Sequence, residues 1–524
     1  MNFSKLVGML GVALVPQVYC SQQQAHCNSL KEKLHVANAT VWFTEYVPSG
    51  TNLSLSENDP SCALASQVIE VDICRVALLV GTSVTSNISM EAWLPFNWTG
   101  RFLSTGNGGL GGCIDYAAMA YTAHYGFASV GANNGHNGTS GALLYKNPGA
   151  LEDFAYRSLH TGVVVGKQVT KAFYDKAHTK SYYLGCSTGG RQGFKEAQDF
   201  PNDFDGIVAG SPALNWNNLV SWAARFINIT GVPGSPDFIP LETWQVIGQA
   251  VLHQCDALDG VIDCIIENTN LCQYRPEALI CASSQTHSCL TGAQAKKVRD
   301  FFSPLYGPNN TLIFPRVQPG MGMMTPYVTG LPFAISTQWF QYVVHEDPSW
   351  NPTTISFEDF AKATLLDPFQ ISTWKGDLSG AMNSGTKILS YHGEEDILIS
   401  PESSTRYYDH VSRTMGLQSG TLDSFYRLFI ISGMNHCVGG TGASFIGNMG
   451  RTVVDFTPEK NVLAAMVRWV ENGTAPDTIL GTAYVNGTKA SGQIAFQRNH
   501  CRYPFRNVYR GEGDPDLPEN WKCI

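Results

Sequence analysis

The segment YYLGCSTGGRQGFKEAQD, residues 182–199, holds a serine between two glycines at a change of secondary structure. Its apolar start predicts a strand over Tyr182–Leu184, and the pattern over residues 190–199 predicts a helix. The pentad Gly185–Gly189 lies between them, so Ser187 falls on a sharp strand-to-helix turn. Side chains flanking such a serine would collide with the neighbouring strand and helix, which accounts for the glycines. This context favours a nucleophilic Ser187 over a plain glycine-rich turn.

Strand and helix signals alternate on both sides of this segment. Arg101–Thr105 predicts a strand that enters the glycine loop Gly106–Gly112, and Phe127–Ala132 predicts another strand. The alternation resumes downstream, with strands predicted at Ile388–Tyr391 and Leu428–Ile431. This pattern indicates a parallel sheet with helices on its faces.

Two downstream helices have predictable starts. Ser400 and Pro401 suit the cap and the first position of a helix that runs to Met415. Thr457 and Pro458 are expected to open the next helix, which ends near Asn472-Gly473.

The alternation weakens from Ser211 to Asn383, where Trp, Pro and Cys are frequent and four cysteines crowd into residues 264–289. We interpret residues 211–383 as an inserted, disulfide-stapled domain. Residues 21–210 together with 384–524 then form the catalytic domain, of the α/β class.

Residues 1–20 are predicted to be a secretory signal peptide. One lysine precedes an apolar run from Leu6 to Val15, which is too short to span a bilayer. Without Cys20, thirteen cysteines remain, so most can form disulfides after secretion, and at least one stays free or pairs between chains. Asn-x-Ser/Thr sequons, which are candidate glycosylation sites, occur at Asn38, Asn52, Asn87, Asn97, Asn137, Asn228, Asn309, Asn472 and Asn486.

The composition excludes several classes of protein. The 524 residues are 44% hydrophobic and only 15% charged, which excludes a disordered chain. Acidic residues outnumber basic ones by 43 to 34, giving a net charge of −9. This sign argues against nucleic acid or an anionic membrane as the main partner.

A nucleophilic serine needs a base that is itself oriented by a carboxylate, and in this architecture both follow the serine in the chain. Asp396 comes just after the predicted strand Ile388–Tyr391, where the acid should lie. Glu394 and Glu395 are competing carboxylates close by.

Three histidines lie downstream of this acid. His436 follows a predicted strand and a Ser-Gly turn, which can place it on a loop at the sheet edge. His410 falls within a predicted helix, where we expect it to face solvent, and His500 has no clear preceding parallel strand. His436 is therefore the predicted base.

Two cysteines flank these candidates, since Cys186 precedes Ser187 and Cys437 follows His436. A bridge between them would tie the serine turn to the histidine loop. A nucleophilic Cys186 is the rival interpretation, which we disfavour because the turn directs its central residue towards the substrate.

Together, the motifs CSTGG (186–190), GNGG (106–109), HGEED (392–396) and GMNHC (433–437) resemble the fungal tannase and feruloyl esterase family. The resemblance covers nearly the whole mature chain. It implies an α/β-hydrolase fold with a large inserted lid domain, and a catalytic triad of Ser187, Asp396 and His436. His500 stands where the family has Leu, which argues against a catalytic role. The implied disulfides, which leave Cys264 free, are Cys27–Cys74, Cys62–Cys113, Cys186–Cys437, Cys255–Cys272, Cys281–Cys289 and Cys501–Cys523.

The segment Cys255–Ile265 contains three aspartates around a glycine turn, a composition that suits an oxygen-ligated cation. It does not match the EF-hand pattern, and from the residues alone a solvated acidic loop is an equal alternative. The resemblance implies a structural Ca²⁺ in the lid and no organic cofactor. Its implied ligands are the side chains of Asp256, Asp259 and Asp263 and the carbonyls of Val261 and Ile265.

The predicted chemistry is ester hydrolysis through an acyl-enzyme on Ser187. The Thr188 N–H and a donor from the Gly106–Gly112 loop would hold the oxyanion. The resemblance implies an aromatic acyl group, with Trp339 and Phe340 as candidates for holding the ring. We expect a secreted feruloyl esterase that releases ferulic, p-coumaric or caffeic acid from plant cell-wall polysaccharide or small phenolic esters. The alternatives are a tannase, which hydrolyses galloyl esters, and a non-catalytic secreted binding protein on the same fold.

Overall fold

A computed structural model describes residues 14–282, 288–320 and 325–524, with side chains from Gln22 onward. The predicted signal peptide lies largely outside the described residues, and its residues 14–20 belong to helix α1 (Leu14–Lys33). Of the helices in the described ranges, none has the length and apolar character that a membrane span requires.

A central sheet of nine strands forms the body of the described chain. In chain order the strands are β1 (Ala39–Val47), β2 (Ile73–Gly81), β3 (Asn87–Pro95), β4 (Arg101–Thr105), β5 (Phe127–Ala132), β6 (Lys180–Cys186), β7 (Gly206–Gly210), β8 (Lys387–Gly393) and β9 (Tyr426–Ile431). Their order across the sheet is β1-β2-β3-β5-β4-β6-β7-β8-β9. The first three pairings are antiparallel and the remaining five are parallel. The carboxyl ends of β6 and β8 therefore meet at one edge.

Helices connect and cover these strands. After α1 they are α2 (Tyr116–His124), α3 (Pro148–Glu152), α4 (Ser158–Tyr174), α5 (Thr188–Asp199), α6 (Trp216–Ala224), α7 (Phe226–Thr230), α8 (Leu241–Cys255), α9 (Gly292–Phe301), α10 (Ala334–Trp339), α11 (Phe357–Leu366), α12 (Ser379–Ser384), α13 (Glu402–Met415), α14 (Ser419–Leu422) and α15 (Val462–Asn472). Short strand pairs outside the central sheet join Asn52–Ser54 to Ser66–Val68, Leu305–Tyr306 to Leu312–Phe314, Thr478–Tyr484 to Ile494–Cys501, and Asn507–Tyr509 to Trp521–Cys523.

Two predicted helix starts are wrong. Helix α13 begins at Glu402 without a side-chain cap, and the buried hydroxyl of Ser400 has no hydrogen-bond partner among the described residues. Helix α15 begins at Val462, where Asn461 accepts the N–H of Ala464. Thr457 instead donates its N–H to a carboxylate two residues earlier, closing a turn that precedes the helix.

The sheet buries side chains on both faces because successive residues of a strand point in opposite directions. In β6, Tyr182 packs on the side covered by Met466 of α15, whereas Tyr183 packs on the side covered by Val163 of α4. Both tyrosines are fully buried, so β6 holds the serine turn on a rigid base.

The described residues between β7 and β8 contribute no strand to the central sheet. Their helices pack into a hydrophobic cluster rich in large aromatic side chains such as Trp222, Trp244 and Phe301. This cluster also includes Leu110, Phe154 and Ile399 from outside the insertion. Two disulfides lie within this insertion, Cys255–Cys272 and Cys281–Cys289.

Candidate active site

Ser187 lies on a sharp turn between β6 and α5. Its backbone has φ 64° and ψ −122°, a conformation that non-glycine residues rarely adopt. Its N–H donates to the carbonyl of Gly210 at 3.0 Å, which helps to hold the turn. A β-carbon at Gly185 would lie 2.6 Å from the hydroxyl oxygen of Tyr183, and one at Gly190 would lie 2.3 Å from the Gly210 carbonyl. Only glycine fits at positions 185 and 190, on either side of the turn.

Asp396 follows β8 and faces His436, whose Nδ1 lies 2.8 Å from its Oδ2. Its other oxygen accepts the N–H groups of Leu398 and Ile399, at 2.8 and 2.9 Å. Burial alone would raise the pKa of this carboxyl, but the charge of His436 and hydrogen bonds from His392 and His436 hold the pKa well below its usual range. Asp396 is thus a fixed anion that can orient His436.

A second histidine touches the same carboxylate. Nε2 of the fully buried His392 lies 3.1 Å from Oδ2 of Asp396 and 3.3 Å from the carbonyl of Ile399. Both neighbours are acceptors, so Nε2 carries the proton, and Nδ1 accepts from the Ser404 hydroxyl at 2.7 Å. Sequence reasoning missed this residue, although its place four residues before Asp396 in HGEED is a signal that could have drawn attention to it.

The competing carboxylates bind threonines instead. Glu394 accepts from the hydroxyl of Thr269, and Glu395 accepts from the N–H and hydroxyl of Thr441. Burial raises the pKa of each glutamate to about 7. Since Thr441 follows the histidine loop, Glu395 anchors that loop.

The other two candidate histidines lie elsewhere. His500 is buried in the strand Ile494–Cys501, with Nε2 facing the carbonyl of Ala443 at 3.0 Å, and burial lowers its pKa to about 4. His410 lies on α13 as predicted, but it does not face solvent freely, because its ring stacks on Trp374.

The disulfide Cys186–Cys437 joins the serine turn to the histidine loop, with its Cα atoms 6.1 Å apart. Ser187 and His436 line the same cleft beside it. Within the described residues the Ser187 hydroxyl forms no hydrogen bond. In many hydrolases the hydrogen bond between the serine and its histidine tightens only when substrate binds. The structure has the same six disulfides that the family resemblance implies, and Cys264 is exposed and outside them.

Backbone donors surround the reacting position. Thr188 opens α5, and its hydroxyl donates to the carbonyl of Gly109 at 2.8 Å, which ties the helix to the glycine loop. Asn107 fixes that loop by donating its N–H to the side chain of Gln192 at 2.9 Å. In the part of the chain that the structure describes, the N–H groups of Gly108 and Gly109 have no acceptor. They are candidate partners of the Thr188 N–H in an oxyanion hole.

A carbon-lined pocket adjoins Ser187. Most of its walls come from the insertion, and its apolar lining is Ala213, Trp216, Leu219, Val220, Ala223, Tyr327, Phe333, Ile335, Leu398 and Ile399. Apart from the Ser187 hydroxyl, its hydroxyl groups already have partners, because Tyr327 donates to the carbonyl of Leu398 at 2.6 Å and Thr188 donates to Gly109. The pocket therefore suits a flat apolar group.

Trp339 and Phe340, the candidates for holding the substrate ring, do not line this pocket. Both are fully buried in the core of the insertion, and the indole N–H of Trp339 donates to Asn217 at 3.1 Å. Sequence reasoning missed the actual pocket residues because they come from separate elements of the insertion.

The acidic loop has two features that suit a cation. Oδ1 of Asp256 is buried and has no hydrogen-bond partner in the described part of the chain, while Oδ2 accepts the N–H of Cys264 at 3.0 Å. Burial, together with the neighbouring carboxylates of Glu267 and Asp263, raises the pKa of Asp259 to about 6. A bound cation would coordinate Oδ1 of Asp256 and would favour the ionised form of the Asp259 carboxyl, so the residues fit a hard divalent ion.

The fold and this geometry define the class: an α/β-hydrolase fold with a serine on a strained strand-to-helix turn and a histidine–aspartate pair beside it is the arrangement of serine hydrolases. A family model described as "Tannase and feruloyl esterase" matches residues 73–524. The chain belongs to the tannase and feruloyl esterase family, as its motifs predict.

Relatives within this family are similar over nearly their whole length. The probable feruloyl esterase B-2 of Aspergillus oryzae is 53% identical over 504 residues, covering 96% of this chain and 95% of the relative. The crystal structure of feruloyl esterase B from A. oryzae superposes with a TM-score of 0.93 at 50% identity, covering 96% of this chain and 100% of that one. The tannin acyl hydrolase from Aspergillus niger has a TM-score of 0.74 at 21% identity over 95% of each chain, and thus shares the fold.

Proposed function

We propose that this protein is a feruloyl esterase that hydrolyses aromatic carboxylic esters through an acyl-enzyme on Ser187. One observation carries the proposal: a carbon-lined pocket lies directly against the serine in a chain about half identical to proteins named feruloyl esterase B.

The side chains suit the two half-reactions. His436 takes the proton of the Ser187 hydroxyl while the oxygen attacks the ester carbonyl, and Asp396 stabilises the imidazolium that forms. The N–H of Thr188 and one from the glycine loop hold the oxyanion. His436 then gives its proton to the leaving alcohol, and water repeats the sequence to release the acid.

The pocket favours a hydroxycinnamoyl over a galloyl group. A galloyl ring carries three hydroxyls that would lose hydrogen bonds to water in this pocket. The hydroxyls of Tyr327 and Thr188 are already occupied there, and the indole N–H of Trp216, which has no partner among the described residues, could serve only one of the three. An unpaired buried hydroxyl costs roughly 1–3 kcal/mol. A feruloyl ring keeps only one of these hydroxyls and carries a methoxy group in place of another, so fewer hydroxyls are buried against the carbon-lined walls.

Assaying methyl ferulate, methyl sinapate, methyl p-coumarate and methyl gallate side by side tests the proposal. We expect the hydroxycinnamates to be cleaved with a kcat/KM at least about tenfold above that of the gallate. A preference for gallate would make the protein a tannase. No turnover of any ester, together with no labelling by a serine-directed phosphonate, would favour the non-catalytic binding protein.

We further propose that the acidic loop binds a structural Ca²⁺ through the side chains of Asp256, Asp259 and Asp263. Because a ligand that binds only the folded state stabilises it, chelation should lower the melting temperature, and Asp256→Asn with Asp259→Asn should abolish the response. Asp237→Asn, an exposed change in the same insertion, is the control. An unchanged melt and no calcium by elemental analysis would make the loop a solvated turn.

Secretion and glycosylation complete the proposal. The six disulfides fit an oxidising compartment, and all nine sequon asparagines are exposed. Expression of the full chain in a fungal host should yield extracellular enzyme whose N-terminus lies near residue 20. Glycosidase treatment should increase its electrophoretic mobility. Retention inside the cell with an intact Met1 would contradict it.

A further inference from the structure

The pocket and the cleft beside Ser187 differ in character. They share Gly109, Ser187, Ile335 and Leu398, but His436 lines only the cleft. In the proposed reaction His436 protonates the leaving alcohol, so the alcohol must lie on its side of the serine. The acyl group then occupies the carbon-lined pocket, and the alcohol occupies the cleft.

The cleft continues into a second groove. Asp115, Met449 and Arg451 line both, which makes the two continuous. Tyr125 lines the second groove further on, and its ring stacks on Phe456 with the centroids 4.0 Å apart. An alcohol larger than methanol would extend along this path.

Arg451 offers free donors at a fixed place. Its side chain is exposed and forms no hydrogen bond or ion pair within the described ranges, although its charge acts on the nearby carboxylate of Asp115. It lies on a turn whose neighbour Thr452 is fully buried and donates to Asn448 at 2.8 Å. Asn448 in turn donates to the carbonyl of Cys437 at 2.6 Å, next to His436. The turn that carries Arg451 is thus tied to the histidine loop.

Asp115 offers acceptors in the same cleft. One of its oxygens accepts the N–H of Ala118 at 2.9 Å and caps α2, and the carboxylate has room for further donors. Two residues earlier, Cys113 is bridged to Cys62, which fixes this stretch. A carboxylate and a guanidinium on one rigid groove suit a ligand that both donates and accepts hydrogen bonds.

We propose that Asp115 and Arg451 form a subsite for a sugar that is the alcohol half of the ester. This inference rests on the proposed function and extends it from the acid to the alcohol. Each sugar hydroxyl donates one hydrogen bond and accepts others, so neighbouring hydroxyls can bind Asp115 and Arg451 together. The flat face of Tyr125 can pack against the next sugar ring, whereas a methyl ester reaches none of these groups.

The test is the ratio of two kcat/KM values, for a feruloyl ester of arabinose and for methyl ferulate, in wild type and variants. Arg451→Ala and Asp115→Asn should each lower this ratio by roughly tenfold, since a hydrogen bond to a charged group is lost. Asn also caps helices well, so the second variant keeps α2 intact. Arg413→Ala, which removes an exposed arginine at the far end of α13, should leave the ratio at its wild-type value.

The outcomes separate the two claims. If wild type cleaves both esters and the ratio is the same in Arg451→Ala and Asp115→Asn, the sugar subsite is wrong and the esterase stands. If wild type cleaves neither ester, the proposed function fails and the subsite falls with it. A fall in the ratio in both variants and not in the control supports the subsite.

Discussion

Oδ2 of Asp396 lies 2.8 Å from Nδ1 of His436, and the same oxygen is also held by His392 at 3.1 Å. One carboxylate oxygen thus serves two histidines, while the other oxygen binds two backbone N–H groups. The Asp396 carboxylate cannot rotate without breaking several contacts, so the imidazole of His436 has a fixed orientation.

His436→Ala should reduce kcat by roughly three orders of magnitude or more, because it removes the base of the serine. His500→Leu should keep most of the activity, since this histidine is buried against Ala443 away from the cleft. Steady-state kinetics on methyl ferulate checks both. The reverse ranking would overturn the assignment of the base.

His392→Leu should lower kcat by about tenfold with little change in KM, because Asp396 loses a donor that positions it, while no substrate contact is lost. His392→Gln keeps an N–H donor and should recover part of the rate. A general loss of folding would instead lower the amount of active enzyme, and active-site titration distinguishes this from a lower kcat. Equal rates in the Leu and Gln variants would show that the hydrogen bond to Asp396 is unimportant.

Burial raises the pKa of Glu395 to about 7 from an ordinary 4.5, so the folded protein keeps a proton on this carboxyl that the unfolded chain loses. The free energy of unfolding should therefore fall as pH rises from about 4.5 to 7. In Glu395→Gln the loss in the free energy of unfolding over this pH range should be smaller than in wild type, by an amount on the order of 2 kcal/mol.

Thermal melts across this pH range measure the effect, with the exposed change Glu512→Gln as the control. If wild type and Glu395→Gln lose stability in parallel as pH rises, the buried carboxyl does not carry the pH dependence.

Replacing Cys186 and Cys437 by Ala should depress turnover, because the bridge positions two groups that must meet within hydrogen-bond distance. Stability should fall as well, by about 2–5 kcal/mol for a bridge that closes a long loop. Replacing Cys501 and Cys523 by Ala is the matched control, which should cost stability with little effect on the rate per folded molecule. Wild-type turnover by the folded Cys186/Cys437 double variant would show that packing alone positions the triad.

The parts of the site that depend on local sequence could be predicted, and those that depend on tertiary packing could not. Ser187 on its turn follows from neighbouring glycines and a strand-to-helix change within eighteen residues. His392 lies only four residues before Asp396, but a histidine at the end of a strand pattern does not by itself indicate that its ring contacts that carboxylate. The pocket wall escaped prediction because Trp216, Tyr327 and Phe333 meet only after the insertion folds.

The most direct test of the account is to trap the covalent intermediate. Wild-type enzyme mixed with excess methyl ferulate and quenched in acid within one turnover should carry one feruloyl group. Peptide mapping by mass spectrometry should locate it on Ser187, and Ser187→Ala should carry none and show no turnover. A feruloyl group on any other residue, or continued hydrolysis by Ser187→Ala, would contradict the account.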